Sequence, residues 1–203
     1  MKIHDNLCIP SMKEDEKYFL FVGRIVDTKG IDILVQSFIS SNLSPDFKLK
    51  IIGPIEDVNL WKTIRKLIDQ HDSIEYLGFK SGKEKDDLMA KAWSVVLPTR
   101  SEVIGMVNLE AANLGCPSIT THETGLHNWE EGGGVLIDSN SVESCKDALV
   151  KTSLWTHSER KTRGELSYNL VLEKYNISAT NKSWEKLYLS LINWNTPKEK
   201  VLD

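Results

Sequence analysis

The chain has 203 residues, 40% of them hydrophobic and 27% charged, with a formal net charge of −4, enough for one large globular domain or one domain with a helical appendage. That balance leaves no basic footprint for nucleic acid, and no apolar run approaches the roughly 20 residues of a membrane-spanning helix. Cys8, Cys116 and Cys145 are odd in number, widely spaced and without histidine pairs, and His4, Asp5 and Asn6 interrupt residues 1–17 as a leader; a disulfide framework, a zinc site and a secretory signal are disfavoured, and a cytoplasmic location is expected.

Strand and helix signals alternate along the chain. Residues 18–23 form a near-continuous apolar run ending in Gly23, as in a strand buried on both faces of a parallel sheet. Residues 31–39 carry Ile31, Leu34, Val35 and Phe38 at helical spacing. A second strand is expected at 47–53, and an amphipathic helix at 57–70 through Leu60, Ile64, Leu67 and Ile68. Next come a strand at 74–78, a helix at 83–92, a strand at 94–98 and a helix from about Met106 to Leu114. Short strands at 117–121 and 134–137 flank a loop, and helices at 141–154, 159–174 and 178–194 close the chain. This rhythm predicts a Rossmann-like, doubly wound parallel α/β sheet of about six strands, with helices on both faces and further helices at the C-terminus. Ligands of such sheets sit beyond the C-terminal ends of the strands. The polar stretch 195–203 is expected to fray.

Two segments just after predicted strands carry candidate chemistry. In Gly23-Arg24-Ile25-Val26-Asp27-Thr28-Lys29-Gly30, the planar fork of Arg24 and the point charge of Lys29 can clamp a diphosphate. On the residues alone, two solvated loop cations account for them better. Neither the G-x-x-x-x-G-K-[ST] phosphate loop nor the Gly-x-Gly-x-x-Gly dinucleotide fingerprint is present, which removes the main support for nucleoside triphosphatase or nicotinamide chemistry.

The second segment runs from Arg100 to Ala112. Gly105 is expected to turn the chain sharply into a helix through angles that other residues avoid. The free amides of Gly105, Met106 and Val107 would then face a bound anion, aided by the helix dipole. Glu102 can accept hydrogen bonds from sugar hydroxyls, and Glu110, one turn into the helix, from both hydroxyls of a ribose. Apolar or small neighbours suggest that this helix is well buried, where an unsatisfied carboxylate costs several kcal/mol. A partly exposed helical glutamate fits Glu110 equally well.

Weaker candidates lie elsewhere. His122 and His127 sit in a loop where histidines are usually just exposed. Cys116, before Pro117, suits a small buried residue better than a nucleophile. Trp61, Trp93 and Trp184 fall at core-like positions. Gly132-Gly133-Gly134 suits a turn before a strand.

These segments in order resemble the C-terminal, nucleotide-sugar donor-binding half of a retaining glycosyltransferase of the GT-B fold, specifically glycosyltransferase family 4 (glycosyl transferases group 1). The resemblance covers about residues 18–138. It rests on Phe21-Val22-Gly23-Arg24 with Lys29-Gly30, Leu49-Lys50-Ile51-Ile52-Gly53-Pro54, Tyr76-Leu77-Gly78-Phe79 and Leu97-Pro98-Thr99-Arg100-Ser101-Glu102. Gly105, Leu109-Glu110-Ala111 and Gly115-Cys116-Pro117 complete it. It implies that Arg24 and Lys29 contact the donor diphosphate and stabilise the leaving group. Glu102 would hold the transferred sugar, the amides of Gly105, Met106 and Val107 the distal phosphate, and Glu110 the ribose. Leu77, Gly78, Phe79 and Lys80 would lie along the base, with Gly23, Gly53 and Pro54 lining the same cleft. No cofactor and no metal are implied, in keeping with the lack of an Asp-x-Asp or histidine cluster.

Two departures accompany the resemblance. Members of that family often carry Gly-Gly with Pro-Glu after the strand at 119–121, where this chain has Glu123-Thr124-Gly125-Leu126-His127-Asn128-Trp129-Glu130. An N-terminal acceptor-binding domain is not readable, so residues 1–17, with Cys8-Ile9-Pro10, are expected to be linker, 18–175 the nucleotide-sugar unit and 176–203 a C-terminal helix and tail. The resemblance implies hexose transfer from a UDP- or GDP-sugar to a saccharide or glycolipid in surface polysaccharide or glycan assembly. The chain alone is expected to be inactive, and any contact with the inner membrane face would fall to the missing domain. A non-catalytic nucleotide-binding module and a sibling such as a nucleotide-sugar epimerase are the alternatives.

Overall fold

The structure is a computed structural model describing residues 17–126, 128–175 and 177–194. The linker motif Cys8-Ile9-Pro10, His127 and the polar tail 195–203 lie outside the described residues. Among the described residues, six parallel strands form one sheet in the order β3-β2-β1-β4-β5-β6. They are β1 Lys17–Val22, β2 Phe47–Ile52, β3 Ile74–Tyr76, β4 Ser94–Leu97, β5 Ser118–Thr121 and β6 Val135–Ile137. The helices are α1 Ile31–Ser40, α2 Val58–Ile68, α3 Gly82–Lys91, α4 Met106–Asn113, α5 Val142–Ser153, α6 His157–Leu170 and α7 Ile177–Trp194. This is the predicted doubly wound α/β architecture.

The sheet is built outward from β1. Phe19 and Phe21 project into one core with Leu49, Ile51 and the α1 residues Ile31, Leu34, Val35 and Phe38. Tyr18, Leu20 and Val22 project into the other, against Met89, Ala92, Val95 and Ala111 near α3 and α4. Alternation along a strand sends neighbours to opposite faces, so a strand covered on both faces reads as an unbroken apolar run. Burying each such side chain contributes about 1.5–3 kcal/mol. Phe19 stacks on Phe47 at 5.1 Å, and Phe47 meets the edge of Trp93 at 5.7 Å. The indole N–H of Trp93 donates to Thr152 O at 2.8 Å, tying β4 to α5.

Helix boundaries differ from the sequence reading where caps were counted as helix. Asp57 caps α2, its carboxylate accepting from the amides of Asn59 and Leu60 at 2.9 Å each. Ser141 caps α5 through the Ser144 amide at 3.0 Å, and Thr156 caps α6 through the Glu159 amide at 3.1 Å. Thus α6 starts before residue 159, and after Leu170 the chain widens into a π-helical turn, Val171–Tyr175. Within α6, Arg160 is 2% exposed and donates to the carbonyls of Ala90, Ala92 and Trp93 at the end of α3. A buried cation there is favoured by the C-terminal end of the helix dipole.

The tryptophans only partly follow the expectation. Trp93 is fully buried and Trp61 packs partly buried against the core, but Trp184 is 53% exposed on α7. Its helical spacing matches a core face, yet none of the hydrophobic clusters formed by the described residues includes it. Two unpredicted core tryptophans are Trp129, fully buried in the β5–β6 loop, and Trp155. Gly132 and Gly134 serve close packing as much as turning: a β-carbon would overlap Leu170 at the first and the Trp129 ring at the second. Cys116 and Cys145 are buried free thiols.

Candidate active site at the strand C-termini

The strand order reverses between β1 and β4, where crossovers diverge to opposite faces of the sheet and leave a crevice beyond the C-terminal ends. The loops after β1, β2 and β3 meet there side by side. The Gly23 amide donates to Ile52 O at 3.1 Å, and the Gly53 amide to Gly78 O at 3.0 Å. Tyr76 Oη donates to Gly53 O at 2.8 Å. Gly53 has φ +145°, and a β-carbon on it would overlap the carbonyl of Gly23. Its identity is therefore set by the approach of two loops. Pro54 and Phe79 stand exposed on this rim, and Leu77 is partly buried behind them.

The loop after β1 forms a 3-10 turn, Asp27–Lys29, closed by Gly30 at φ +66°. Gly30 lies against the Pro98 carbonyl with no room for a β-carbon. The turn is pinned from the loop after β4: Thr99 Oγ1 donates to Thr28 O at 2.7 Å, and so does the Arg100 amide at 2.8 Å. The Arg100 guanidinium grips both carboxylate oxygens of Asp32, donates to the Asp27 carbonyl and reaches Asn140 Oδ1 at 2.6 Å. One side chain thereby joins α1 and the loops after β1, β4 and β6. The bonds to Asp32 raise its pKa above the ordinary arginine value.

This clamp presents Lys29 to Glu102: the ammonium donates to Glu102 Oε2, with both side chains largely buried. Lys29 and Glu102, far apart in the sequence, are thus brought into contact by the fold. Arg24 stands apart, half-exposed, its guanidinium 2.8 Å from Glu56 Oε2 on the loop after β2.

The turn into α4 corrects one expectation. Gly105 has φ −71° and ψ 72°, an ordinary φ that needs no glycine. Space imposes glycine instead: a β-carbon would come to 2.5 Å from Asn108 Oδ1 and 3.1 Å from a Leu126 methyl. Nor are the three amides all available. That of Gly105 donates to Thr124 O at 3.2 Å and that of Met106 to Ile104 O at 2.8 Å. Val107 is the one for which the described residues supply no backbone acceptor.

Glu110 lies one turn along α4 between the buried Leu109 and Ala111. It is itself partly exposed, and its Oε2 accepts from Lys85 Nζ at 2.7 Å. The expectation of a well-buried helix holds for its neighbours, whereas the carboxylate reaches the rim. Lys85, on α3, was not singled out from the sequence, because its partner is 25 positions away. His122 is exposed, as loop histidines usually are. Among the described residues no three His, Cys, Asp or Glu side chains are placed to hold a metal ion, and no helix is long and apolar enough to cross a membrane.

Comparison with known proteins gives one consistent answer. Residues 9–169 match the family described as Glycosyl transferases group 1. A glycosyltransferase of Methanocaldococcus jannaschii is 35% identical over 156 residues, 74% of this chain and 42% of that protein. The capsular polysaccharide biosynthesis glycosyltransferase CapM of Staphylococcus aureus is 27% identical over 172 residues, 83% of this chain and 44% of its own. The chain therefore spans less than half the length of these relatives. Among solved structures, the C-terminal domain of the group 1 protein LpcC from Francisella tularensis superposes with a TM-score of 0.71 at 24% identity, covering 79% of this chain and 87% of that one. Anabaena HepE in complex with UDP and glucose superposes with a TM-score of 0.74 at 17% identity, covering 87% of this chain and 49% of that one. These two likenesses concern the fold.

Proposed function

We propose, since this chain belongs to the glycosyl transferases group 1 family, that it is the nucleotide-sugar donor-binding unit of a retaining, family 4 hexosyltransferase working in polysaccharide or glycolipid assembly. The observation that carries the reading is the Lys29–Glu102 contact at the switch point of the sheet. It sets a cation for a diphosphate beside an acceptor for a sugar. The extent of the match to a group 1 C-terminal domain supports the assignment of residues 18–175 to this unit. A second, acceptor-binding domain would complete the site.

Each role follows from charge and position. Arg24 and Lys29 exchange their carboxylate partners for the diphosphate, and in the transition state they stabilise the negative charge that grows on the leaving oxygen. Compensating charge thus comes from side chains instead of a metal. Glu102, relieved of Lys29, accepts from hydroxyls of the transferred hexose. The Val107 amide meets the distal phosphate, Glu110 takes the ribose diol, and the edge of Leu77, Gly78 and Phe79 lies along the base. Uracil is the first donor base to test, since a structural neighbour was solved with UDP.

Calorimetric titration of the chain with UDP, GDP and ADP tests the reading. One of them should bind weakly, and Arg24→Ala and Glu110→Ala should each weaken it about tenfold, the value of a charge-assisted hydrogen bond. Silence with all three, or indifference to both substitutions, would overturn it.

A further inference from the structure

The cations around α3 do not all behave alike. Lys83 pairs with Asp87 at 2.5 Å and Lys80 approaches Glu84 at 3.7 Å, both local contacts at i,i+4 spacing. Lys85 instead crosses to another helix, its Nζ 2.7 Å from Glu110 Oε2, and is far less exposed than Lys83. Helix electrostatics do not account for this. Lys85 lies in the first turns of α3, where the dipole opposes a cation, and Glu110 lies past the first turn of α4, where the dipole helps a carboxylate little. The contact belongs to the rim, because α3 follows the β3 loop proposed to lie along the base.

A ribose hydroxyl is both a donor and an acceptor. A carboxylate reads only its proton, and a lone carboxylate leaves the oxygen lone pairs unmatched. An ammonium already held at the same carboxylate oxygen is placed to donate to those lone pairs without a large movement. Resting on the donor-binding reading above, we propose that Lys85 is a second ribose-contacting residue. With Glu110 it forms an acceptor–donor pair that recognises the diol: the carboxylate accepts from the hydroxyls while the ammonium donates to the 2′ oxygen.

The test is a comparison of ratios. UDP and 2′-deoxy-UDP are titrated calorimetrically into the full chain, with GDP and 2′-deoxy-GDP as a second pair, for wild type, Lys85→Met and Lys85→Arg. Wild type should prefer the ribo form by about a hundredfold, the scale of two charge-assisted hydrogen bonds lost, one to Glu110 and one from Lys85. Lys85→Met should reduce that preference to about tenfold, the share left to Glu110, while binding the deoxy form nearly as wild type does, and Lys85→Arg should restore part of it. If Lys85→Met weakens both forms equally, or keeps the full preference, Lys85 is only a strut between α3 and α4 and the proposal is wrong. If wild type binds neither pair, or does not distinguish ribose from deoxyribose, the reading of Glu110 fails first and this one with it.

Discussion

The Arg100 guanidinium holds both carboxylate oxygens of Asp32, at 2.9 and 2.7 Å, across 68 residues of sequence. The pair matters less for its own strength than for what hangs on it, since the same arginine steadies the turn that presents Lys29.

Arg100→Met should therefore lower both stability and nucleotide affinity. Stranding a partly buried Asp32 costs about 2 kcal/mol, somewhat below the figure for a fully buried pair, or roughly 4–8 °C in Tm for a chain of this size. Arg100→Lys should recover little, because an ammonium cannot reproduce the planar fork. Thermal unfolding of the three proteins side by side checks it, and a lysine variant as stable as wild type would refute it.

Lys29 and Glu102 should respond in opposite directions to nucleoside diphosphate. Lys29→Met removes the cation, and binding should weaken about tenfold. Glu102→Gln leaves the cation but frees it from its carboxylate, so UDP should bind at least as tightly as to wild type. Equal losses in the two variants, measured by calorimetry, would show that the pair is structural.

Two glycines with positive φ separate strain from crowding. Gly78 has φ +75° with open space around it, so Gly78→Ala should cost about 1–2 kcal/mol of conformational strain. Gly53 carries φ +145° and abuts the Gly23 carbonyl, so Gly53→Ala should cost at least about 3 kcal/mol and disturb the rim. Urea unfolding of both variants gives the comparison.

Burial pushes the Cys145 thiol up to about 12, and the Cys116 thiol upward as well. Both should resist alkylation in the folded protein at neutral pH, as peptide mapping after iodoacetamide would reveal. The folded state keeps its proton where the unfolded thiol, near 8.5, has lost it, so this contribution is complete below about pH 8.5 and fades as pH rises toward 12. Cys145→Ala should accordingly show a shallower fall of Tm between about pH 8 and pH 11.

Readability from sequence followed the range of the interactions. β1 and β4 announce themselves because both faces of each are buried, which makes their runs nearly all apolar, whereas Lys48 and Lys50 interrupt β2. Asp57 and Ser141 were misplaced by one position because a cap and a first helical residue are equally polar. Trp184 and Trp93 carry the same local signal, and only the tertiary fold separates the buried one from the exposed one. Gly105, Glu102 and Lys29 were found as residue types at strand ends, although the reason for the glycine was steric instead of conformational. Lys85 and the Arg100–Asp32 clamp escaped notice because lysine, arginine and aspartate on polar segments look alike until distant segments meet.

The charges proposed to receive the donor arrive already matched, Arg24 with Glu56, Lys29 with Glu102 and Lys85 with Glu110, and the Arg100–Asp32 clamp beside them is matched too. Seen from a few Debye lengths away, such a cleft is close to neutral and casts no attractive field toward an approaching polyanion. Encounter should then proceed at ordinary diffusive rates, with stopped-flow association nearly flat from low to physiological ionic strength. A steep decline with salt would mean that the pairs are open before the ligand arrives. Selectivity would begin at contact, where a molecule offering phosphate and hydroxyls together can replace both halves of the Lys29–Glu102 pair and free phosphate cannot.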